Sequence, residues 1–148
     1  MTGAALDIRP ARAGDQADCL RMIEALSGQG APALRVETFD TLLAQERGEI
    51  LVAEDAVAGL LGIATVTYNL TLRHGGEYCQ LEELFVDPKA RGRNLGGLLL
   101  EAVLARARAR GCAECGLYLL PHTEHNRPFY EKYGFAAVGA EMRQNLCD

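Results

Sequence analysis

Apolar residues recur along the chain with two different spacings, and their succession predicts an α/β fold. Helical spacing, with an apolar residue every three or four positions, follows Asp15, covers Val36–Arg47 and runs from Leu95 to about Arg110. Runs rich in β-branched and aromatic residues predict strands between and around these helices. In chain order the predicted strands are Leu6–Arg9, EILVAED, GLLGIATVTYNLTL, EYCQLEELFV, AECGLYLL and, as a last strand or tight hairpin, FAAVGAEMRQNL.

One short turn and one crossover indicate how these elements connect. A short turn, DAVAG, joins EILVAED to the next strand, which favours an antiparallel hairpin. The order strand, helix, strand around Leu95–Arg110 is a crossover unit, so the strands Glu77–Val86 and Cys115–Leu120 are expected to be parallel neighbours. A short helix in NRPFYEKYG is expected to end at Gly134. No repeat or linker interrupts this order, and we predict a single domain over residues 1–148.

Composition narrows the class of protein. The chain has 148 residues, of which 49% are hydrophobic and 24% charged, as in soluble globular proteins. No apolar run reaches the roughly 18 residues that a membrane span needs, and no secretory signal precedes the first strand. The five cysteines are scattered and odd in number, which favours a reducing, cytoplasmic compartment. The net charge of −5 argues against nucleic acid as a partner.

The loop before the longest helix carries the most specific chemical signal. Its seven residues are Arg91, Gly92, Arg93, Asn94, Leu95, Gly96 and Gly97. The first turn of a helix has unpaired N–H groups and a partial positive charge, and small residues let an anion reach them. The loop therefore predicts a cradle for a phosphate or diphosphate, with a tight turn bearing two solvated arginines as the alternative. Leu98 stands where a nucleotide-binding P-loop needs lysine, which excludes that motif.

This segment resembles the GCN5-related N-acetyltransferase (GNAT) family. The family carries a [Q/R]-x-x-G-x-[G/A] loop after its fourth strand, and Arg91–Gly96 matches it with Asn94 in place of the first motif glycine. Asparagine tolerates positive φ, so the loop shape is expected to survive. The preceding LEELFVDP and the later FYEKYGF also resemble the family. The resemblance implies a GNAT-like α/β (α+β) fold: a mixed, mostly antiparallel sheet of about six to seven strands with a central parallel pair and about four helices.

The resemblance also implies an activity and a cosubstrate. Members of the family transfer acetyl from acetyl-CoA directly to an amine, without a metal, so we expect acetyl-CoA as cosubstrate and a small-molecule primary amine as acceptor. The backbone of Leu84, Phe85 and Val86 is expected to bind the acetyl carbonyl and the pantetheine amides. The loop Arg91–Gly97 is expected to bind the diphosphate.

Three side chains are candidates for proton transfer. A protonated amine needs a base before it can attack a thioester, and Glu82 and Glu83 lie on the strand where the family places one. A bulge expected there prevents strand alternation from choosing between them; we favour Glu82, with Glu83 next. Tyr130 is the expected general acid for the departing thiolate, whereas Tyr133 is interpreted as a packing residue. The plainer alternatives are surface carboxylates and a core tyrosine.

Alternatives of other classes remain open at this point. A protein or peptide N-acetyltransferase predicts an open groove near residues 27–39, and a non-catalytic acyl-CoA-binding regulatory module predicts binding without turnover. The pair Cys112 and Cys115 lacks a second pair at zinc-site spacing, so no metal is expected. Arg106, Arg108 and Arg110 are interpreted as a solvated helix face. Pairing of a C-terminal sheet edge with a second copy, as a homodimer, is a hypothesis.

Overall fold

The computed structural model describes residues 5–28 and 35–147. The chain forms two compact units, Met1–Cys115 and Gly116–Asp148. The first unit contains most of the sheet and three helices, and the second contains a short helix and the C-terminal segment. Within the described residues, no helix is long and apolar enough to cross a bilayer.

One mixed sheet of five strands, in the order β1-β2-β3-β4-β5, organises the described residues. The strands are β1 (Leu6–Pro10), β2 (Gly48–Asp55), β3 (Gly59–Thr71), β4 (Gly76–Val86) and β5 (Cys115–Gly116). The first four pair antiparallel in sequence order. On the other edge of β4, Ala113 N donates to Glu77 O at 2.9 Å and Cys79 N donates to Glu114 O at 2.8 Å. Residue numbers rise together along both segments, which is the parallel direction.

Four α-helices accompany the sheet: α1 (Gln16–Ser27), α2 (Arg35–Leu43), α3 (Leu95–Arg110) and α4 (Arg127–Lys132). Gly28 and Gly111 end α1 and α3 in the left-handed conformation, with φ of 68° and 87°. Short 3₁₀ turns cover Ala13–Asp15, Pro88–Ala90 and Pro121–Asn126. Glycine tolerates positive φ without strain, so it suits the ends of both helices, and α3 ends where the sequence predicts.

The two faces of the sheet are covered by different helices. On one face α1 and α2 pack on β2 and β3 through an apolar cluster, whose buried members are Cys19, Met22, Phe39, Ile50, Val52, Leu60 and Ile63. Because side chains alternate along a strand, Gly62 faces the other side, where α3 lies. A Cβ atom on Gly62 would stand 3.0 Å from Leu99 Cδ1, so glycine here allows α3 to approach the sheet closely.

The basic face predicted for α3 is mostly paired with the sheet, which corrects the expectation of a solvated face. Arg106 forms an ion pair with Glu49, a carboxylate that is 5% exposed. Arg110 forms an ion pair with Glu77 at 2.8 Å and stacks on the Tyr68 ring at 3.8 Å. Long arginine side chains reach past the apolar stripe of their own helix, which helical spacing alone does not reveal.

Three predicted elements are shorter or absent in the structure. The strand expected at Cys115–Leu120 contains only Cys115–Gly116, and residues 135–147 contain neither helix nor strand. The described residues therefore hold five strands instead of six to seven. The predicted helix Val36–Arg47 is observed as Arg35–Leu43, because Gln45 has a φ of 61° and its carbonyl accepts a hydrogen bond from Arg110.

Candidate active site

A β-bulge separates the two neighbouring glutamates of β4. Thr65 of β3 pairs with Glu83, whereas the next residue, Val66, pairs with Leu81. Glu82 is therefore the extra residue of the bulge, which the family resemblance predicts in this part of the strand. A bulge changes the alternation of side chains between the two faces, and here it gives the two glutamates different surroundings.

Glu83 lies on the sheet face covered by α1 and α2 and lines a cavity there. Burial raises the pKa of its carboxyl above the ordinary value, and the charge of Glu82 acts in the same direction. A hydrogen bond from the Thr65 hydroxyl and the charge of Arg35 act in the opposite direction without cancelling the effect of burial. A carboxylate with a raised pKa is a stronger base than an ordinary one, which suits proton abstraction from an amine.

Glu82 has different surroundings. Its side chain is exposed and accepts a hydrogen bond from Thr67 Oγ1 at 2.7 Å. It does not line the cavity. The geometry therefore favours Glu83 over Glu82, the reverse of the preference drawn from the resemblance.

The cavity between α1, α2 and the central strands has a volume of about 220 Å³. Five of its lining residues have polar side chains: Ser27, Arg35, Thr38, Thr65 and Glu83. The other eight have apolar side chains or a thiol: Cys19, Leu20, Ile23, Leu26, Phe39, Leu42, Ile50 and Ile63. A small concave site with a few polar groups among apolar walls is typical of small-molecule binding.

Alternate backbone N–H groups of β4 after Glu83 point toward β3 and away from it. Asp87 N donates to Leu61 O at 2.8 Å, and Phe85 pairs with Ile63 in the same register. In an antiparallel pair every second residue exchanges its hydrogen bonds with the partner strand. The N–H groups of Leu84 and Val86 therefore point to the opposite edge of β4, the edge on which β5 lies. Phe85 instead directs its backbone to β3 and its side chain into the apolar cluster.

The arginine-glycine loop has the shape that an anion cradle requires. Gly92 and Asn94 both have positive φ, at 88° and 56°. Asn94 immediately precedes α3, and its carbonyl accepts the helix's first hydrogen bond, from Leu98 N at 3.0 Å. The N–H groups of Leu95, Gly96 and Gly97 thus precede the first intrahelical bond and are available to a ligand. The left-handed Asn94 agrees with the expected tolerance of asparagine for this conformation.

The two arginines of the loop differ in their surroundings. Arg93 donates to Asp55 at 2.8 Å, and Asp55 also accepts hydrogen bonds from the N–H groups of Val57 and Ala58. These backbone bonds and then Arg93 hold the pKa of Asp55 at about 2. Arg93 therefore ties the loop to the turn between β2 and β3, whereas Arg91 is exposed. Arg91 is the better placed of the two to meet a phosphate.

Tyr130 lies in α4, within the second unit. Its ring packs against Phe129 at 5.1 Å and Phe135 at 6.0 Å between centroids, both in edge-on geometry. Burial raises the pKa of its hydroxyl, so the phenol stays protonated at neutral pH. Tyr133 also contacts Phe129, at 5.3 Å. A protonated phenol has the proton that a general acid must give.

Cys79 has the surroundings of a structural thiol and not of a nucleophile. Burial and a hydrogen bond with Cys115 raise the pKa of the Cys79 thiol, with the hydrogen bond as the larger cause. A thiol with a raised pKa is a poor nucleophile. Across residues 5–28 and 35–147, no group of three or more metal-binding side chains is arranged to hold a metal ion.

Sequence reasoning missed Arg35 and Thr65 as site residues. Thr65 reaches Glu83 only through the register that the bulge sets, and no local motif marks that register. Arg35 stands at the start of α2, and its relation to Glu83 depends on how α2 packs on the sheet. The sequence places Arg35 just before the predicted helix Val36–Arg47, and nothing local indicates that this helix packs beside the two glutamates.

Comparison with known proteins identifies the family. The family model described as "Acetyltransferase (GNAT) family" matches residues 19–135. Glucosamine 6-phosphate N-acetyltransferase 1 of Oryza sativa subsp. japonica is 34% identical over 95 residues, or 63% of this chain and 56% of that protein. That alignment thus spans little more than half of the relative. Probable glucosamine 6-phosphate N-acetyltransferase 2 of the same organism is 30% identical over 95% of this chain and 88% of its own length.

Solved structures agree on the fold. An aminoglycoside N-acetyltransferase in complex with CoA superposes with a TM-score of 0.85 at 19% identity, covering 99% of this chain and 98% of its own. At this level of identity the likeness concerns the fold alone. The family match covers most of the chain and contains the bulge, the cavity residues of β3 and β4 and the loop before α3. The chain therefore belongs to the acetyltransferase (GNAT) family.

Proposed function

We propose that the chain is an acetyl-CoA-dependent N-acetyltransferase that transfers acetyl directly to the primary amine of a small molecule. One observation carries the proposal: Glu83, in a small cavity, directly precedes the outward amides of Leu84 and Val86, and the anion cradle follows on the same chain segment. Successive residues of a strand are about 3.3 Å apart. The proposed base thus lies one residue from the first amide donor and three residues from the second.

The chain's own groups fit a CoA thioester. Acetyl-CoA, when bound, supplies an acetyl group activated as a thioester. The N–H groups at the start of α3, with Arg91, suit its diphosphate, because they present unpaired donors and positive charge together. The amides of Leu84 and Val86 suit the acetyl carbonyl and the pantetheine arm, where preorganised donors stabilise developing negative charge.

Proton transfer is assigned to two side chains. An alkylamine has a pKa near 10.4, so most of it is protonated at neutral pH and needs a base. Glu83 faces the acceptor cavity and takes this proton. Tyr130 is proposed, from the family resemblance and its protonated state, to give a proton to the departing thiolate.

The cavity favours a small acceptor over a peptide. Its volume of about 220 Å³ lies below the range of pockets that hold drug-sized ligands. The peptide alternative predicts an open groove near residues 27–39, a segment of which residues 29–34 lie outside the described part. The names of the two rice relatives also point to a small amine, so glucosamine 6-phosphate belongs in any acceptor panel.

The decisive experiment measures thiol release from acetyl-CoA with a panel of amines, amino acids, aminophosphonates and peptides. We expect turnover with small primary amines and little with peptides. Binding of CoA without turnover by any compound would instead support the regulatory-module alternative.

Glu83→Gln tests the base. Glutamine keeps the acceptor oxygen for Thr65 but cannot take a proton, so kcat/KM is expected to fall by about 100-fold or more. Glu82→Gln is the matched comparison, since Glu82 lies outside the cavity. A large loss in Glu82→Gln with full activity in Glu83→Gln would reverse the assignment.

A further inference from the structure

Arg35 lines the acceptor cavity with part of its guanidinium unpaired. Its Nη2 donates to Ser27 Oγ at 3.4 Å, at the long end of the hydrogen-bond range. Its Nη1 is buried and has no hydrogen-bond partner among the described residues. Buried polar groups in proteins are almost always hydrogen-bonded, and a guanidinium is always charged. An unpaired guanidinium nitrogen in a cavity therefore indicates a ligand that brings an acceptor.

The cavity contains one positive and one negative side chain. Arg35 lowers the pKa of Glu83 through charge alone, and no hydrogen bond joins the two side chains. The carboxyl of Glu83 is already bonded to the Thr65 hydroxyl. A ligand with an amine and an anion complements this pair, because its amine suits Glu83 and its anion suits Arg35.

The remaining walls restrict the rest of the ligand. Eight of the thirteen lining residues are apolar or carry a thiol, and they come from α1, α2, β2 and β3. Hydroxyl groups placed against such walls would lose their hydrogen bonds to water without replacement. A compact hydrocarbon skeleton would instead be buried favourably.

We propose that the acceptor is a compact primary amine with an apolar carbon skeleton and one anionic group, a carboxylate, phosphonate or phosphate, which Arg35 binds. This inference rests on the proposed function and names the substrate class of the same site. Arg35 is then a specificity-determining residue, since a guanidinium fork matches all three anions. Glu83 faces the amine of the same molecule.

Acceptors that differ only in the anionic group measure the contribution of that group to turnover. Leucine and 3-methylbutylamine share one skeleton and differ only in the carboxylate, and the aminophosphonic analogue of leucine replaces that carboxylate with a phosphonate. Glucosamine 6-phosphate carries an amine and a phosphate on a hydroxyl-rich skeleton. In the thiol-release assay we expect leucine or its phosphonic analogue to exceed 3-methylbutylamine in kcat/KM by about 10- to 100-fold, the range for hydrogen bonds to a charged group. Glucosamine 6-phosphate as the best acceptor would overturn the apolar part of the proposal.

Variants of Arg35 test its role. Arg35→Met is expected to lower kcat/KM for the anionic acceptor by about 10- to 100-fold, mainly through KM, and to change kcat/KM for 3-methylbutylamine much less. Arg35→Lys keeps the positive charge but loses the two parallel donors of the guanidinium. Its kcat/KM for the anionic acceptor is expected to lie between those of the wild type and Arg35→Met. Arg21→Met removes the same charge from an exposed position of α1, where Arg21 pairs with Asp18, and is expected to resemble the wild type. An equal loss for both acceptors in folded Arg35→Met protein would overturn the proposal.

Binding provides a readout that does not depend on turnover. Calorimetry of leucine and its phosphonic analogue with the wild-type protein, in the presence of CoA, is expected to show binding that weakens by the same factor in Arg35→Met. Urea unfolding of each variant checks that it folds. If Arg35→Met does not fold, the same comparison is made with Arg35→Lys. Thiol release with no amine at all would overturn the proposed function, whereas binding without dependence on Arg35 would overturn only this inference.

Discussion

Glu82 and Glu83 are neighbours in the chain, yet only Glu83 is partly buried and lines the cavity. The cause is the bulge: Glu82 is an extra residue in β4, and it shifts by one position which of the following side chains point to each face of the sheet. From sequence alone both residues were candidates, because alternation cannot be applied across an irregularity whose position is unknown. The sequence therefore narrows the candidates for the base to two neighbouring residues, and the backbone register favours Glu83.

Thr65 is expected to tune the basicity of Glu83. Its hydroxyl donates to the carboxylate and so favours the charged form, which lowers the pKa of Glu83 against the larger effect of burial. Thr65→Val removes this donor with little change in shape, and the pKa of Glu83 should therefore rise further above its ordinary value. The ¹³C chemical shift of the Glu83 carboxyl, followed through a pH titration, measures the change.

Thr67→Val is the control for that titration. Thr67 donates to Glu82 on the exposed side of the bulge, so its loss should leave the titration of Glu83 unchanged. A downward shift in Thr65→Val would mean that the hydroxyl favours the protonated carboxyl, and the electrostatic account of the base would then be wrong.

Tyr130 can be tested against its neighbour Tyr133. Removing the hydroxyl in Tyr130→Phe keeps the aromatic contacts with Phe129 and Phe135 but removes the proton donor. We expect kcat to fall by about 100-fold, with the affinity for acetyl-CoA unchanged. Tyr133→Phe should keep most of the activity, since Tyr133 is interpreted as a packing residue. Unchanged turnover in Tyr130→Phe would remove the general-acid role.

At the scale of elements, α3 could be predicted almost completely. Its bounds, Leu95–Arg110, and its glycine end at Gly111 follow from apolar spacing and local backbone preference. Arg106 and Arg110 could not be placed, because their partners Glu49 and Glu77 lie on strands far away in the chain. Local signals predicted both ends of α3, although not the end of α2, and long-range packing decides what the polar residues of a helix contact.

The affinity of the loop before α3 for CoA should depend on the backbone conformation of Asn94 more than on its side chain. Asn94 is left-handed, and its side chain makes no capping hydrogen bond. Asn94→Gly should therefore bind CoA as well as the wild type. Asn94→Ala should bind CoA about 5- to 30-fold more weakly, because a left-handed alanine costs about 1–2 kcal/mol.

Calorimetric titration of CoA into both variants provides the test. Both variants lack the side-chain amide of asparagine, and they differ in how easily they adopt the left-handed conformation. Comparing them therefore separates the effect of backbone conformation from that of the side chain. Equal weakening in glycine and alanine variants would show that the asparagine amide itself contacts the ligand.

At the scale of the whole molecule, one continuous segment supplies most of the proposed site. Residues 83–97 contain the proposed base, the two outward amides and the proposed anion cradle, while α1, α2, β2 and β3 supply the other walls of the cavity. This division explains why the cosubstrate could be predicted from sequence and the acceptor could not. A contiguous loop leaves a recognisable sequence motif, whereas a cavity lined by residues of five separate elements leaves none.

The C-terminal segment does not form the sheet edge that was expected to pair with a second copy, but its exposed apolar side chains suit a contact of another kind. Residues 135–147 form no helix or strand, and Val138, Met142 and Leu146 are 98%, 93% and 87% exposed. The composition of FAAVGAEMRQNL predicted a strand, but a strand also needs a partner edge, and composition does not supply one. Apolar side chains exposed together along one segment favour association, because burial removes them from water.

We therefore expect a homodimer in sedimentation velocity experiments at micromolar concentration. Replacing Val138, Met142 and Leu146 together with serine should shift the protein to monomer, since it removes the apolar surface that would be buried between two copies. Val57→Ser is the matched control, because Val57 is 89% exposed in the turn between β2 and β3, outside this segment. If the wild type sediments as a monomer at every concentration, or if Val57→Ser dissociates the dimer as fully as the triple variant, the C-terminal segment is not the interface.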